Sequence, residues 1–279
     1  MKTSLRLPLE ITIFPGLRDH RSESRAVLPA VEALRLLAAS VQAQWPDRDL
    51  RVMTDVSFSR FLFLEEGEDR IAAINEVRID AQGGLTAGLL TLVPSSSGRI
   101  TRAREHVRIR IPNKIDEIEL LPFLAACRLT GDCIEVTPAQ LYEELVPFGP
   151  AFRNMAGMLN LTEEGAMALV QAPVDGQPLG PLGSPYPLDA AFHCACAWGQ
   201  RFAGIVAFPV GFEKRCVIEP TIAGAVYFTR IIPVRTDREP LLFDLWIYGL
   251  DGLLHEATLG VAMRDVSNGR LRPPAWIRA

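Results

Sequence analysis

The sequence predicts an α+β fold in which a long antiparallel sheet wraps one buried helix, and does so twice. Three observations predict it. Only two segments carry sustained helical periodicity, most of the remainder alternates like strands, and the order helix-then-strands occurs twice. The chain has 279 residues, 48% of them hydrophobic and 22% charged, so it can bury a sizeable core and has no compositional reason to be disordered. That length fits one large domain or two ordinary ones.

The first helix is expected from about Pro29 to Trp45, with Val31, Leu34, Leu37, Ala38, Val41 and Trp45 at helical spacing and Pro29 suited to a first turn. Strands follow at Val52 to Leu64, Ile71 to Ile79, Gly88 to Val93 and Glu105 to Ile111. A junction lies between Pro112 and Thr137, with the acidic stretch Asp116 to Glu119 and a Thr130-Gly131-Asp132 turn. The second helix is expected from about Pro187 to Ala203, with Leu188, Ala191, Phe192, Ala195, Trp198 and Phe202 on one side. Both helices are rich in alanine and aliphatic residues and read as deeply buried. Strands at Cys216 to Ile218, Gly224 to Val234, Leu241 to Tyr248 and Leu254 to Met263 complete the chain, the last two joined by an Asp251-Gly252 turn. Between junction and second helix, Asp175 to Pro187 holds three glycines and four prolines. It reads as a stiff, irregular loop bordering a pocket mouth.

Several function classes are excluded at this level. The formal charge of −4 removes the electrostatic reason to expect nucleic acid. The run Arg99, Arg102, Arg104, Arg108 and Arg110 reads as a solvated sheet face, with an acidic protein partner as the sharper reading. Five cysteines, with only Cys194 and Cys196 close together, suit neither zinc nor a disulfide framework; those two read as small buried helix residues. Pro8, Glu10 and Pro15 interrupt the apolar N-terminus, so no secretion signal is expected, and no apolar run is long enough to span a bilayer. A cytoplasmic protein is expected, without metal. No dinucleotide fingerprint, phosphate-binding loop or nucleophile elbow is present, so no cofactor is expected.

Four histidines remain. His106 and His255 fall in strand-like segments and read as surface or sheet-face residues. His20 precedes the first helix. His193 lies in the second, four residues after Asp189, which puts the two on one helical face. Asp189 alone would read as a partner for the helix dipole. In a duplicated fold the two equivalent helices pack side by side, which makes the two histidine sites more interesting together than either is alone.

These residues sit in motifs. The stretch from His20 to Pro29 resembles the His-x3-Gly-x4-Pro motif of dehydratase domains of polyketide synthases, with Ser24 where glycine is usual. Asp189-Ala190-Ala191-Phe192-His193 matches that family's Asp-x3-Gln/His motif. Phe148-Gly149-Pro150-Ala151-Phe152 is similar to its Tyr-Gly-Pro-x-Phe element, with Phe148 replacing tyrosine, and Phe208-Pro209-Val210-Gly211-Phe212 is a looser counterpart of Leu-Pro-Phe-x-Trp. Order and spacing fit across nearly the whole chain. The resemblance implies a double hotdog: two antiparallel sheets, each wrapped around a long central helix, over residues 1–125 with the catalytic histidine and 126–279 with the catalytic aspartate. It implies His20 as base, Asp189 as acid and His193 as the residue positioning Asp189. Ser24, Pro29, Phe148, Gly149, Pro150, Phe192 and Pro209 are then expected to border the substrate.

The implied activity is that of a hydro-lyase removing water from a 3-hydroxyacyl group, carried by phosphopantetheine on an acyl carrier protein, in polyketide or fatty-acid-type biosynthesis. Losing water needs a base for the C2 proton and an acid for the C3 hydroxyl, each worth about 10²–10⁴ in rate. Burial of Asp189 beside Phe192 would favour the protonated acid, and backbone N–H groups at a helix start could stabilise the thioester oxygen. Other synthase domains and a second copy of the chain are further expected partners; the start at Met1 fits a stand-alone protein or an excised domain. Two other readings stay open: a product-template-like cyclase of poly-ketone chains, and a non-catalytic double hotdog for binding or scaffolding, for which Ser24 is the main support. The separation of His20 from Asp189 discriminates catalysis from scaffold.

Overall fold

Two helices organise the computed structural model of the chain, which describes residues 4–94, 101–114, 120–177 and 179–278. The long helices are α1 (Ala30–Gln44) and α4 (Tyr186–Trp198); α2 (Phe123–Ala126), α3 (Pro138–Gln140) and α5 (Ala275–Arg278) are single turns. All thirteen residues of α4 are buried, because its sequence offers small or apolar side chains in nearly every direction. Its expected end at Ala203 is reached through a π turn, Gly199–Ala203, closed by Gly204 in the left-handed conformation at φ 68°. Pro29 caps α1, which buries Val31, Leu34, Leu37, Ala38 and Val41 along one stripe.

Fourteen strands are present among the described residues: β1 (Ser4–Thr12), β2 (Arg21–Ser22), β3 (Arg25–Ala26), β4 (Val52–Phe58), β5 (Arg70–Ile79), β6 (Leu85–Pro94), β7 (Thr101–Ile111), β8 (Ile134–Val136), β9 (Leu159–Thr162), β10 (Gly165–Gln171), β11 (Phe208–Val217), β12 (Val226–Arg235), β13 (Leu241–Gly249) and β14 (Leu254–Arg264). Twelve of them form one antiparallel sheet in the order β1-β5-β6-β7-β4-β11-β14-β13-β12-β10-β9-β8, while β2 and β3 make a small hairpin. The expectation of two separate sheets is thus corrected. Periodicity specifies which face of a strand is buried but not which edges meet. Here the free edges of the two halves satisfy each other through β4 and β11, with Phe212 opposite Val56 and Lys214 opposite Thr54. Gly211 opposes Ser57 at this seam, and a Cβ there would collide with the Val56 carbonyl.

Helix α1 contacts β1, β6 and β7, and α4 contacts β10 to β13; the helices also touch each other. One apolar cluster runs through both halves. A smaller cluster sits on the opposite face of β13, where Leu121, Phe123 and Ala126 of the junction cover Trp246 and Tyr248.

Other expectations need adjustment. The strand read as Val52 to Leu64 ends at Phe58, and beyond it Phe63 bridges only to Val27. Strands β1, β8, β9 and β10 were not expected. Arg102, Arg104 and Arg108 do lie on an exposed face, with Arg108 paired to Glu105 and Arg110 to Asp80. Arg99 and the stretch Asp116 to Glu119 fall outside the described residues. All five cysteines are free thiols, with Cys194 and Cys196 buried. Among the described residues no helix is long and apolar enough to cross a membrane.

Candidate active site

His20 is held by a local clamp. The 3₁₀ turn Pro15–Asp19 delivers it, and the rings of Phe148 and Phe152 pack on its imidazole at centroid distances of 4.3 and 5.2 Å. The neighbouring Asp19 fastens that aromatic segment in place: its carbonyl accepts from Gly149 N at 2.8 Å and its carboxylate from Ala151 N at 2.9 Å. A Cβ on residue 149 would collide with the Asp19 carboxylate, which is why glycine stands there.

Asp189 comes from the first turn of α4, 3% exposed. His20 Nε2 lies 4.0 Å from its Oδ1, although the residues are 169 positions apart in sequence. His193 Nε2 lies 3.0 Å from Asp189 Oδ2, one turn along the same helix, in a contact without good hydrogen-bond geometry. The Phe148 ring also packs on His193, at 5.0 Å, so one phenyl group touches both imidazoles.

Burial dominates the electrostatics of His20. Loss of solvent lowers its pKa from 6.5 to about 4, outweighing the nearby Asp189 carboxylate, which raises it; His193 lowers it further. His20 is therefore a neutral imidazole at neutral pH. His106 is also pushed down, chiefly by burial. Of the two placements expected for it, surface or sheet face, His106 takes the second: it lies in β7, is 5% exposed, and its Nε2 hydrogen-bonds Thr91 Oγ1 at 2.8 Å. The segment Ser59–Phe61 covers it, with Ser59 N donating to its carbonyl. His255 is half-buried on Tyr227, as a sheet residue.

His20, Asp189 and His193 open onto one cavity of about 520 Å³. Phe148, Phe192 and Pro209 line it as expected. Pro29, Gly149 and Pro150 do not; Pro29 caps α1, and Gly149 and Pro150 start the turn that carries Phe152. Ser24 is exposed and is not among the residues lining the cavity; it lies in the two-residue turn of the β2–β3 hairpin. Glu23 and Ser24 there have φ of 48° and 69°. That left-handed turn accounts for glycine in the motif. No described residue of the Asp175 to Pro187 loop lines the cavity either, correcting its placement at the mouth; Pro178 lies outside the described residues. The loop packs instead at the outer start of α4, where Asp175 accepts from the Tyr186 hydroxyl and Gly183 bridges Thr221.

Sequence reasoning missed the far end of the cavity. Arg60, Phe61, Arg264 and Asn268 form an exposed rim, contributed by the ends of β4 and β14 that the seam brings together. It also missed Tyr142, whose hydroxyl lies 3.3 Å from His193 Nδ1. The capping box Thr137–Gln140 was a readable signal for the helical turn that carries Tyr142, but nothing local points to His193.

No family model and no curated protein matches the sequence. Solved structures do match. A dehydratase domain of a trans-acyltransferase polyketide synthase from Brevibacillus brevis superimposes with a TM-score of 0.76 at 17% identity, over 94% of this chain and 93% of that one. The fold is that of polyketide synthase dehydratase domains. The dehydratase domain of a mycocerosic acid synthase-like polyketide synthase gives 0.73 at 20% identity, covering 94% of both chains. A bifunctional dehydratase-cyclase domain from ambruticin biosynthesis gives 0.69 at 16% identity, over 94% of this chain and 91% of that one. This dehydratase fold is a hotdog arrangement with a large antiparallel sheet and few helices, in agreement with the architecture above.

Proposed function

We propose that the chain is a hydro-lyase that removes water from a 3-hydroxyacyl thioester, presented on the phosphopantetheine arm of an acyl carrier protein in polyketide or fatty-acid-type biosynthesis. One observation carries this reading. A neutral imidazole and a buried carboxyl group, from opposite halves of the chain, face each other at 4.0 Å across an open cavity. No packed side chain fills the space between them, as a retired scaffold would allow. The dehydratase fold of the neighbours named above adds to it.

His20 takes the proton from C2 of the substrate. As that C–H bond breaks, its electron pair forms the C2–C3 double bond and the C3–O bond gives way, with Asp189 protonating the departing hydroxyl to water. The step leaves an imidazolium–carboxylate pair, which suits their spacing. Phe148 and Phe152 fix the ring plane of His20 and exclude water from its rear face. Phe148, Phe192 and Pro209 contact the acyl chain, while Gly149, Pro150 and Pro29 act by holding the elements that carry those groups. Ser24 has no part in binding. Phe58, Val107, Val146 and Phe208 make the wall largely apolar, which supports a reduced, aliphatic acyl group over a poly-ketone.

In the same reading each half, residues 1–125 and 126–279, is a hotdog unit with its sheet segment curled about α1 or α4. A second copy of the chain and further synthase domains join the carrier protein as partners. The free thiols Cys127 and Cys133, both exposed, fit a reducing cytoplasm. The test is mass spectrometry of a carrier protein charged with a 3-hydroxyacyl group. Loss of one water on incubation with the protein is expected. A carrier that keeps its mass at every chain length, or a poly-ketone mimic that cyclises instead, would overturn the proposal.

A further inference from the structure

The Tyr142 hydroxyl is buried and held from two sides. Met155 N donates to it at 3.0 Å, and His193 Nδ1 lies 3.3 Å away. The Met155 N–H occupies one acceptor site of the hydroxyl, and its phenolic hydrogen is free to donate to His193 Nδ1. An imidazole that accepts at Nδ1 while neutral must carry its proton on Nε2, and that Nε2 faces Asp189 Oδ2 at 3.0 Å. Both atoms are buried, and among the described residues neither makes a hydrogen bond of good geometry, so their 3.0 Å approach to each other is the one close polar contact of either. The other carboxyl oxygen, Oδ1, faces His20.

We infer that Tyr142 is a positioning residue: it fixes His193 as the Nε2–H tautomer, which holds Oδ2 of Asp189 and so leaves the transferable proton on Oδ1, on the side of His20. The inference rests on the dehydratase reading for its consequence, though not for its geometry. Burial pushes the Tyr142 phenol far above its ordinary pKa, so the hydroxyl stays a donor throughout the working range. Phe148, which stands where the resembled motif has tyrosine, packs edge-on against His193 but brings no hydroxyl to it. Tyr142, six positions earlier, supplies one. Cys194, beside His193 on α4, has its thiol pushed far up by burial and does not compete as an anion. The roles in this chain are ordered. Backbone fixes tyrosine, tyrosine fixes the imidazole, and the imidazole fixes which carboxyl oxygen is free.

Nitrogen NMR of the folded protein tests this with or without turnover. With imidazole nitrogens labelled, His193 is expected as the Nε2–H tautomer in the wild-type protein, and a Tyr142→Phe variant is expected to shift it toward a mixture. With a carrier-bound 3-hydroxyacyl substrate, the same variant should lose about tenfold in kcat at an unchanged KM, the effect of one orienting hydrogen bond. A wild-type His193 found as the Nδ1–H tautomer would overturn the inference, and that result needs no variant to fold. An unaltered His193 spectrum in Tyr142→Phe would overturn it equally. A protein with the expected tautomers but no dehydration would refute the function proposed above while leaving the tyrosine–histidine coupling in place.

Discussion

His20 sits between two phenyl rings and 4.0 Å from a carboxyl oxygen, and these contacts set what single substitutions do. In the proposed mechanism Asp189→Asn removes the proton donor, whereas His193→Ala only loosens its orientation. The larger loss in kcat is therefore expected for Asp189→Asn, in the range of about 10²–10⁴ for one acid–base group. Equal losses with an unshifted pH profile would mean that His193 itself transfers the proton. Ser24→Gly has the opposite character. It relieves a left-handed serine in an exposed turn and touches no cavity wall, so kcat should stay unchanged while thermal unfolding shows up to about 1 kcal/mol of added stability. The pair of His20 and Asp189 was legible in the sequence because each stands in a motif. Tyr142 was not, because its partner lies 51 residues away and no spacing rule connects them.

At the scale of elements, the short segment Phe148–Phe152 matters more than its length suggests. It is fastened to Asp19, the residue next to His20, and Gly149→Ala would force Asp19 away. Overpacking of this kind costs about 1–3 kcal/mol. Its effect on kcat should exceed its effect on KM, because His20 shifts while the acyl wall remains. Activity that survives intact in a destabilised Gly149→Ala protein would contradict the clamp. The two long helices were read to within one or two residues at their starts, since an apolar stripe or an all-apolar run needs tertiary burial to make sense. Strand β1 escaped notice because Pro8 interrupts it. As the terminal strand of the sheet it pairs on one side only, with β5, where a missing N–H is tolerated. The proline-rich loop before α4 was misplaced for a related reason. Composition shows that it is irregular, but not which side of the helix start it covers.

For the whole molecule, the seam between β4 and β11 is the feature that periodicity could not supply. It joins the halves into one sheet and assembles the cavity rim from strands distant in sequence. The buried imidazole also gives the molecule a defined response to acid. The folded pKa of His20 is depressed to about 4 from 6.5, so folding favours its neutral form. Its contribution to stability is full above pH 6.5 and is lost as pH falls toward 4, because the unfolded chain takes up the proton first. Denaturant midpoints should fall across that window, and less so in His20→Ala; His106, depressed in the same direction, contributes to what remains. The acid limb of kcat/KM should likewise lie near 4 rather than 6.5. A limb at 6.5 would indicate a solvated His20.

The central claim is that one imidazole and one carboxyl group, from the two halves of a single sheet, act in the same chemical step. Single-turnover conversion of a carrier-bound 3-hydroxyacyl thioester to its enoyl form tests it, measured for the wild-type protein, His20→Ala, Asp189→Asn and the double variant, each checked for folding by thermal unfolding. Each single variant is expected to lose about 10²–10⁴ in rate, and the double variant little more than the worse single, because groups that act as a unit are not additive. Full activity in a well-folded His20→Ala protein would contradict the account.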